Sequence, residues 1–226
     1  MLPNLTHLLA RAGYRARFLL FQRHRFDRLV LEWVAERPFL ILPQVFNPSL
    51  FWTSEFMVQS FNAHLIPPGA RVLDMGTGSG IGAVFAAQWA GAVTAVDVNP
   101  AAVRCARINA LLNQVEGCVA VREGDLFTAV SGETFDVILF NPPYFRGQPK
   151  NSLDRAFRAE DVIERFIAQL HGHLSPDGYA LVLLSSAGDE GRFLSLIQQQ
   201  GYQLQVAARR ELPTETLSLY KVHKGS

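Results

Sequence analysis

The stretch Asn141-Pro142-Pro143-Tyr144 combines residue types that suit the binding of a planar amine. The asparagine side-chain oxygen and the carbonyl oxygen of the following proline are two hydrogen-bond acceptors, and two successive prolines restrict the backbone that carries them. Their natural partner is a flat –NH2 group, because both of its hydrogens can be held at once. The tyrosine ring, with Phe145 beside it, can stack on such a substrate. The motif therefore predicts a site for an amide or a base amine.

A second motif, VLDMGTGSGIG, places Gly76, Gly78 and Gly80 between an apolar run and a helical pattern. Glycines in such a turn let a ligand approach the backbone and the start of the helix. Nicotinamide and flavin sites use G-x-G-x-x-G around a pyrophosphate, whereas the spacing here is G-x-G-x-G. Asp74, two residues before the first glycine, would repel a pyrophosphate and suits an ammonium or sulfonium charge. This argues against a nicotinamide oxidoreductase.

Two further acids end the next two apolar runs. Asp97, followed by Val98, has the position from which a carboxylate usually accepts two ribose hydroxyls. Asp125 can accept a hydrogen bond from an adenine amine while Leu126 packs on the ring. The alternative is that Asp125 is an ordinary acidic residue in a turn. A ligand with a cationic amino-acid part, a ribose and an adenine, but no pyrophosphate, is S-adenosylmethionine, whose product is S-adenosylhomocysteine. We therefore expect the amine held by Asn141 to take a methyl group, with no strong general base.

Strand and helix patterns alternate from Arg71 onward, and this alternation must bring the acids and the Asn-Pro-Pro-Tyr motif to one edge of a sheet. Five apolar runs separated by helical segments predict parallel strands in a doubly wound α/β fold, which binds ligands at the carboxyl edge. The last two runs have only Pro213-Thr214 between them, so they must be antiparallel. The expected sheet has seven strands and is mostly parallel, with an antiparallel C-terminal strand.

The first part of the chain has a different pattern. Residues 1 to about 40 carry apolar side chains at three- and four-residue intervals, which predicts a helix. The chain is therefore divided into a helical N-terminal extension over residues 1–45, for contact with a substrate or partner, and a larger domain over residues 46–226. Within the larger domain, TSEFMVQSFNAHL predicts a helix with Thr53 or Ser54 as its N-cap.

The segments VLDMGTGSG, VDVNP, GDLF and FNPPY together resemble the class I S-adenosylmethionine-dependent methyltransferases that methylate amino groups. The likeness is best to the HemK-like protein-glutamine methyltransferases, which modify the Gly-Gly-Gln glutamine of translation release factors. It covers roughly residues 44–224 and includes VFNPSLFWTSEF, similar to a motif of the short eukaryotic and archaeal forms. The resemblance implies a Rossmann-like fold, with Thr53 covering the cofactor and Asn141 touching both cofactor and substrate.

Two segments differ from that family's pattern and keep a second substrate class open. The family has a glycine-rich segment after the Asn-Pro-Pro-Tyr motif, where this chain has FRGQPKNSLDRAFRAED, and the first 45 residues match neither lead-in of the family. Residues 11–28 and 146–158 are rich in arginine and include Arg146 beside the motif, which suits a nucleic-acid backbone. The first choice is a release-factor glutamine, and the alternative is a base amine of rRNA, tRNA or DNA.

The composition and the residue patterns argue against several other classes of protein. The formal net charge of +1 argues against a general polyanion binder, and no apolar run reaches the ~18 residues that cross a bilayer. The N-terminus lacks a signal-peptide layout, so a cytoplasmic protein without membrane contact is expected. His171 and His173 lack a third ligand, so no metal is expected. A non-catalytic cofactor-binding module is a remote alternative, because no expected acid is missing. The sequence leaves the oligomeric state open.

Overall fold

A computed structural model describes residues 28–143, 145–148, 154 and 158–225, and this part of the chain contains eleven strands and five α-helices. The strands are β1 (Val30–Val34), β2 (Arg37–Ile41), β3 (Arg71–Met75), β4 (Ala92–Asp97), β5 (Val119–Glu123), β6 (Phe135–Phe140), β7 (Phe145–Arg146), β8 (Arg158–Ala159), β9 (Leu174–Ser185), β10 (Tyr202–Glu211) and β11 (Thr216–Lys224). The α-helices are α1 (Trp52–Ser60), α2 (Ile81–Ala86), α3 (Pro100–Leu112), α4 (Val162–His173) and α5 (Glu190–Gln199). Short 3-10 helices cover Pro48–Leu50 and Leu126–Val130.

Seven strands form the central sheet in the order β10-β11-β9-β6-β3-β4-β5. The five strands β9, β6, β3, β4 and β5 run parallel to one another, whereas β11 is antiparallel to both β9 and β10. The chain moves outward from β3 through β4 to β5 and then returns to place β6 on the other side of β3. The strand order therefore reverses between β3 and β6, where doubly wound sheets bind ligands. The predicted fold class is confirmed.

Both faces of the sheet are buried, which explains why its central strands are mostly apolar. In β6, Val137 and Leu139 belong to one hydrophobic cluster, whereas Ile138 and Phe140 belong to the cluster on the opposite face. Successive side chains of a strand point to opposite faces, so a strand covered on both sides needs a continuous apolar run. Such a strand is held firmly along its length, and the polar residues that follow it are presented at a fixed edge.

Residues 30–41 form an antiparallel hairpin of β1 and β2, so the helix predicted over residues 1 to about 40 is wrong in this segment. Ala35 and Glu36 make the turn, with φ angles of 43° and 66°. Two-residue hairpin turns need positive φ to match the twist of the paired strands. Residues 1–27 lie outside the described part of the chain, and the domain boundary after residue 45 stays a prediction.

The hairpin packs against α3 through β2. Phe39 and Ile41 are buried in the core, whereas Trp33, which belonged to the apolar face of the predicted helix, is 66% exposed. The backbone N–H of Leu40 donates to Asn109 Oδ1 at 2.7 Å, and Asn109 Nδ2 donates to the carbonyl of Leu40 at 2.9 Å. This exchange of hydrogen bonds between a helix side chain and the strand backbone fixes the hairpin on the domain.

The helix predicted from TSEFMVQSFNAHL is present as α1, but its predicted cap is wrong. Phe51 holds the N-cap position without a side-chain hydrogen bond, and the preceding 3-10 helix is the one capped by a side chain, that of Asn47. Thr53 and Ser54 lie inside α1 and are buried. The hydroxyl groups of these two residues therefore face the protein interior instead of ending the helix.

Candidate active site

A cavity of about 770 Å³ lies beyond the carboxyl ends of β3, β4, β5 and β6. It brings together residues from the glycine loop, the strand-end acids and the segment after β6, as expected for this edge of a doubly wound sheet. The predicted site residues that line it are Thr53, Asp74, Gly76, Gly78, Asp97, Val98, Asp125, Leu126, Asn141, Pro142 and Pro143. The structure thus places in one cavity residues that are up to 90 positions apart in the chain.

The glycine loop contributes backbone to the cavity wall. Gly76 and Gly78 have φ angles of +69° and +56°, a region that disfavours residues with a Cβ atom. Around both, no heavy atom of the described residues would lie within 4 Å of an added Cβ, so this part of the loop is open. Gly80 is not among the lining residues: a Cβ there would stand 2.9 Å from the Cα of Ala106 on α3. The third glycine thus permits the close approach of two backbones.

Asp74 lies under the glycine loop and is only 5% exposed. Its Oδ2 accepts from Thr77 Oγ1 at 2.6 Å and from the backbone N–H of Ala83 at 2.9 Å. Burial is the main cause that raises the pKa of Asp74 to about 6, and the charge of Asp97 adds to it, while the two hydrogen bonds act in the opposite direction. A cation in the cavity would favour the ionised carboxylate.

Asp97, at the end of β4, connects the glycine loop to the start of α3. Its two carboxylate oxygens accept from the backbone N–H groups of Gly78 at 2.8 Å and Asn99 at 2.9 Å. Asn99 in turn caps α3 by accepting from Ala101 N at 3.0 Å. The carboxylate is therefore oriented by backbone groups, and an ionised carboxylate offers further lone pairs to a ligand.

The carboxylate of Asp125 is bound by Arg165, which sequence reasoning did not identify. Arg165 Nη1 lies 2.7 Å from Asp125 Oδ2, and Nη2 lies 3.3 Å from Oδ1. Arg165 is on α4 and also donates through Nε to Asp161 at 3.1 Å. The four-residue spacing from Asp161 to Arg165 could have indicated a helical ion pair. No local pattern links Arg165 to Asp125, which is 40 residues away.

Thr53 contributes a buried hydroxyl to the cavity. Its Oγ1 has no hydrogen-bond partner among the residues that the structure describes. Because a buried hydroxyl without a partner is costly, this atom is a candidate hydrogen-bonding group for a ligand. The rings of Phe46 and Phe51 stack on each other, with 4.9 Å between their centroids, and both residues also line the cavity.

The Asn-Pro-Pro segment follows β6 directly. β6 pairs with β3 on one side and β9 on the other, so Asn141 leaves the sheet beside the glycine loop, at the point where the strand order reverses. Asn141 is half-buried and Pro142 is buried. Tyr144 lies outside the described residues. For Phe145 and Arg146 the structure describes a backbone paired with β8, and the roles predicted for these three side chains stay predictions.

The Methyltransferase small domain family matches residues 37–212, more than half of the chain. The chain belongs to this family. The match confirms the predicted enzyme class, an S-adenosylmethionine-dependent methyltransferase, and it starts within the β1–β2 hairpin.

Relatives of this methyltransferase have different substrates in their names. It is 34% identical over 155 residues to a putative protein N5-glutamine methyltransferase of Methanocaldococcus jannaschii. The aligned region covers 65% of this chain and 77% of the relative. It is 30% identical over 180 residues to the ribosomal RNA small subunit methyltransferase C of Alcanivorax borkumensis, covering 79% of this chain but only 51% of that relative. The chain thus spans about half the length of some of its relatives.

A solved structure shows the same fold. The T. thermophilus 16S rRNA N2 G1207 methyltransferase, in complex with AdoMet and guanosine, superposes with a TM-score of 0.64 at 20% identity. The superposition covers 87% of this methyltransferase and 50% of that chain.

The cavity of the methyltransferase has a second polar wall that sequence reasoning missed. Ser185, at the end of β9, donates to the carboxylate of Glu215 and accepts from the backbone N–H of Ala187 at 3.0 Å. All three residues line the cavity. Because β9 is the neighbour of β6, this pair stands on the side of the Asn-Pro-Pro segment that is away from the glycine loop.

Among the residues that the structure describes, no group of three or more His, Cys, Asp or Glu side chains could hold a metal ion. The helices of this part of the chain are too short or too polar to span a bilayer.

Proposed function

We propose that this methyltransferase binds S-adenosylmethionine in the 770 Å³ cavity and transfers its methyl group to the nitrogen of a planar amide or amine, with a protein glutamine of the release-factor type as the substrate. One observation carries the proposal: the glycine loop, Asp97 and the Asn141-Pro142 segment open onto the same cavity. This combination supplies a nucleoside site and an amine-acceptor site within reach of each other.

The residues present fit the cofactor. Asp97 can accept from the ribose hydroxyls, and Asp125 can accept from the adenine amine while Leu126 packs on the ring. Asp74, beneath the loop, favours a ligand with a positive charge. The buried Oγ1 of Thr53, which lacks a partner among the described residues, can donate to a ligand oxygen or accept from an ammonium group. Each of these groups lines the cavity.

The Asn-Pro-Pro segment would position the substrate nitrogen. When bound, S-adenosylmethionine supplies a methyl group on a sulfonium and leaves as S-adenosylhomocysteine. Asn141 Oδ1 and the carbonyl oxygen of Pro142 can each accept one hydrogen of the –NH2 group, so they would hold the substrate nitrogen in one orientation in the cavity. The same two oxygens stabilise the positive charge that develops on nitrogen. Since the proton becomes acidic only as the new bond forms, no strong general base is needed.

One observation favours a glutamine, and the geometry of the acceptors is compatible with it. The archaeal relative named as a putative protein glutamine methyltransferase is covered over 77% of its length. A side-chain amide also has the flat –NH2 geometry that two fixed acceptors require. A release factor acts in translation, so we propose a cytoplasmic site of action.

A base amine of rRNA, tRNA or DNA is the second candidate. It is favoured by the arginine-rich segments 11–28 and 146–158 and by the 30% identity to a ribosomal RNA methyltransferase. An adenine, guanine or cytosine amine offers the same two donors as a glutamine amide.

Methyl transfer from tritiated cofactor would separate the candidates. Purified release factor, a release-factor variant with the Gly-Gly-Gln glutamine changed to alanine, rRNA, tRNA and DNA are tested side by side. We expect label in the first protein alone. Label in nucleic acid only would end the glutamine proposal, and the Asn141→Ala enzyme serves as the control for contaminating activity.

A further inference from the structure

The paired contact between Arg165 and Asp125 joins α4 to the end of β5 at the wall of the cavity. We propose that Arg165 is a positioning residue that orients the Asp125 carboxylate toward the adenine amine and thereby makes the enzyme selective for an adenine base. This inference rests on the proposed cofactor site.

The geometry leaves the carboxylate able to accept a further hydrogen bond. Each Asp125 oxygen receives one guanidinium N–H, and an ionised carboxylate has about four lone-pair sites. A fork-to-fork arginine pair restrains both oxygens at once, which a single point charge does not. An adenine amine can therefore approach a lone pair whose direction is already set.

The backbone that carries the carboxylate is also held. Asp125 N–H donates to Thr128 Oγ1 at 3.0 Å, and Thr128 Oγ1 donates back to the carbonyl of Asp125 at 2.8 Å. With its backbone fixed by Thr128 and its side chain fixed by Arg165, Asp125 has little freedom to turn away. Leu126, which follows with a φ of 49°, starts the 3-10 helix and lines the same cavity.

Arg165 is itself held by a residue of its own helix end. Its Nε donates to Asp161, the N-cap residue of α4, so the guanidinium group is restrained from its own helix as well as by Asp125. The hydrogen bond to Asp125 is the main cause that raises the pKa of Arg165, in keeping with a tight pairing.

Stability alone does not account for this pair. The side chains of Arg165 and Asp125 are 38% and 46% exposed, and ion pairs of such exposure contribute little to folding. A pair that stabilises the fold only slightly, but fixes the direction of a cavity carboxylate, is better explained by ligand selection.

The test compares two ligands by calorimetry: S-adenosylhomocysteine and its 6-deamino analogue, which has a hydrogen in place of the adenine amine. The wild-type enzyme should prefer the natural product about 10- to 100-fold, the value of a hydrogen bond to a charged acceptor. In Arg165→Met this preference should fall below about threefold. Only the natural product should bind more weakly, because a carboxylate that turns freely forms a weaker hydrogen bond to the amine. Arg165→Lys should keep only part of the preference, because lysine lacks the planar fork.

Arg192→Met is the matched control. Arg192 pairs with Glu164 of α4 at similar exposure, and neither residue lines the cavity. This variant should bind both ligands like the wild type, with a melting temperature similar to that of Arg165→Met. Asp125→Ala should lose the preference as Arg165→Met does, because no side-chain acceptor is left at this position.

The outcomes separate the two proposals. If the wild-type enzyme binds S-adenosylhomocysteine and Arg165→Met retains the full preference for it, the role of Arg165 is overturned while the proposed function stands. The role is equally overturned if Asp125→Ala keeps the preference, because Asp125 would then not bind the adenine amine. No binding of S-adenosylhomocysteine to the wild-type enzyme at millimolar concentration would overturn both.

Discussion

The carboxylate of Asp97 accepts a hydrogen bond of 2.8 Å from the backbone N–H of Gly78. This bond joins the end of β4 to the middle of the glycine loop, so the two parts of the proposed nucleoside site hold each other in place. The open space above Gly78 means that a ligand can lie against this junction without a side chain in its way.

Replacing Asp97 by alanine should weaken binding of S-adenosylhomocysteine about 10- to 100-fold, because two ribose hydroxyls lose a charged acceptor. Calorimetric titration measures this loss. Asp136→Ala is the control: Asp136 accepts from Arg71 N–H at 2.8 Å and Ser175 Oγ at 2.9 Å, outside the cavity. The Asp136→Ala variant should have a lower melting temperature, and its affinity for S-adenosylhomocysteine should stay within about twofold of that of the wild type. Equal affinities in the two variants would contradict the role given to Asp97.

Asn141→Ala should lower the methyl-transfer rate about 10²- to 10³-fold while cofactor affinity changes much less, because the variant removes an acceptor that acts on the substrate nitrogen. Single-turnover rates and product-binding constants, measured on the same preparation, separate the two effects. Asn62→Ala provides a control, since that side chain is exposed and bonds to neighbouring backbone. A near-normal rate in Asn141→Ala would show that the amine is held in another way.

Thr53→Val tests whether the buried hydroxyl belongs to the cofactor site. Valine has nearly the same shape and removes a buried polar atom that lacks a described partner, so the ligand-free enzyme should be as stable as the wild type or more stable by about 1 kcal/mol. Affinity for S-adenosylhomocysteine should fall at the same time. Thermal unfolding with and without the ligand measures both quantities, and a loss of stability without loss of affinity would assign Thr53 a structural role.

Gly80→Ala and Gly69→Ala separate backbone strain from steric contact. Both glycines have a φ near +80°, so each variant should lose about 1–2 kcal/mol of stability from the left-handed conformation. At Gly69 an added Cβ meets no described heavy atom within 4 Å, whereas at Gly80 it meets the backbone of Ala106 at 2.9 Å. Denaturant unfolding should therefore show a clearly larger loss for Gly80→Ala. Equal losses would mean that α2 and α3 can move apart without cost.

The pKa of Asp74, raised to about 6, predicts two opposite dependences on pH. Between the ordinary pKa of an aspartate and pH 6, the folded protein keeps a proton on Asp74 that the unfolded chain has released. The contribution of this group to the free energy of unfolding therefore falls as pH rises through 6. The ammonium group of S-adenosylhomocysteine favours the ionised form, so affinity for this ligand should rise over the same range and be about tenfold weaker at pH 5 than at pH 7. Calorimetry at both values tests this, and Asp74→Asn should remove the slope in stability and in affinity.

The parallel strands and the positions of the strand-end acids were predictable because they depend on local patterns. A strand buried on both faces is mostly apolar, and the polar residue that ends it is then visible in the sequence. The β1–β2 hairpin was not predictable in the same way. Its apolar residues also satisfy a helical spacing, and its turn residues, Ala35 and Glu36, are not the glycine, asparagine or aspartate that usually indicate positive φ.

The sequence by itself determined the order of the main strands and helices from Arg71 onward, the glycine loop, and the acids and amide that follow successive strands. The tertiary structure alone decided that Arg165 binds Asp125, that the Thr53 hydroxyl is buried at the cavity, and that Asp74 lies beneath the loop. The physical reason is that strands and turns are encoded by neighbouring residues, whereas burial and pairing between distant side chains arise only when the elements pack together.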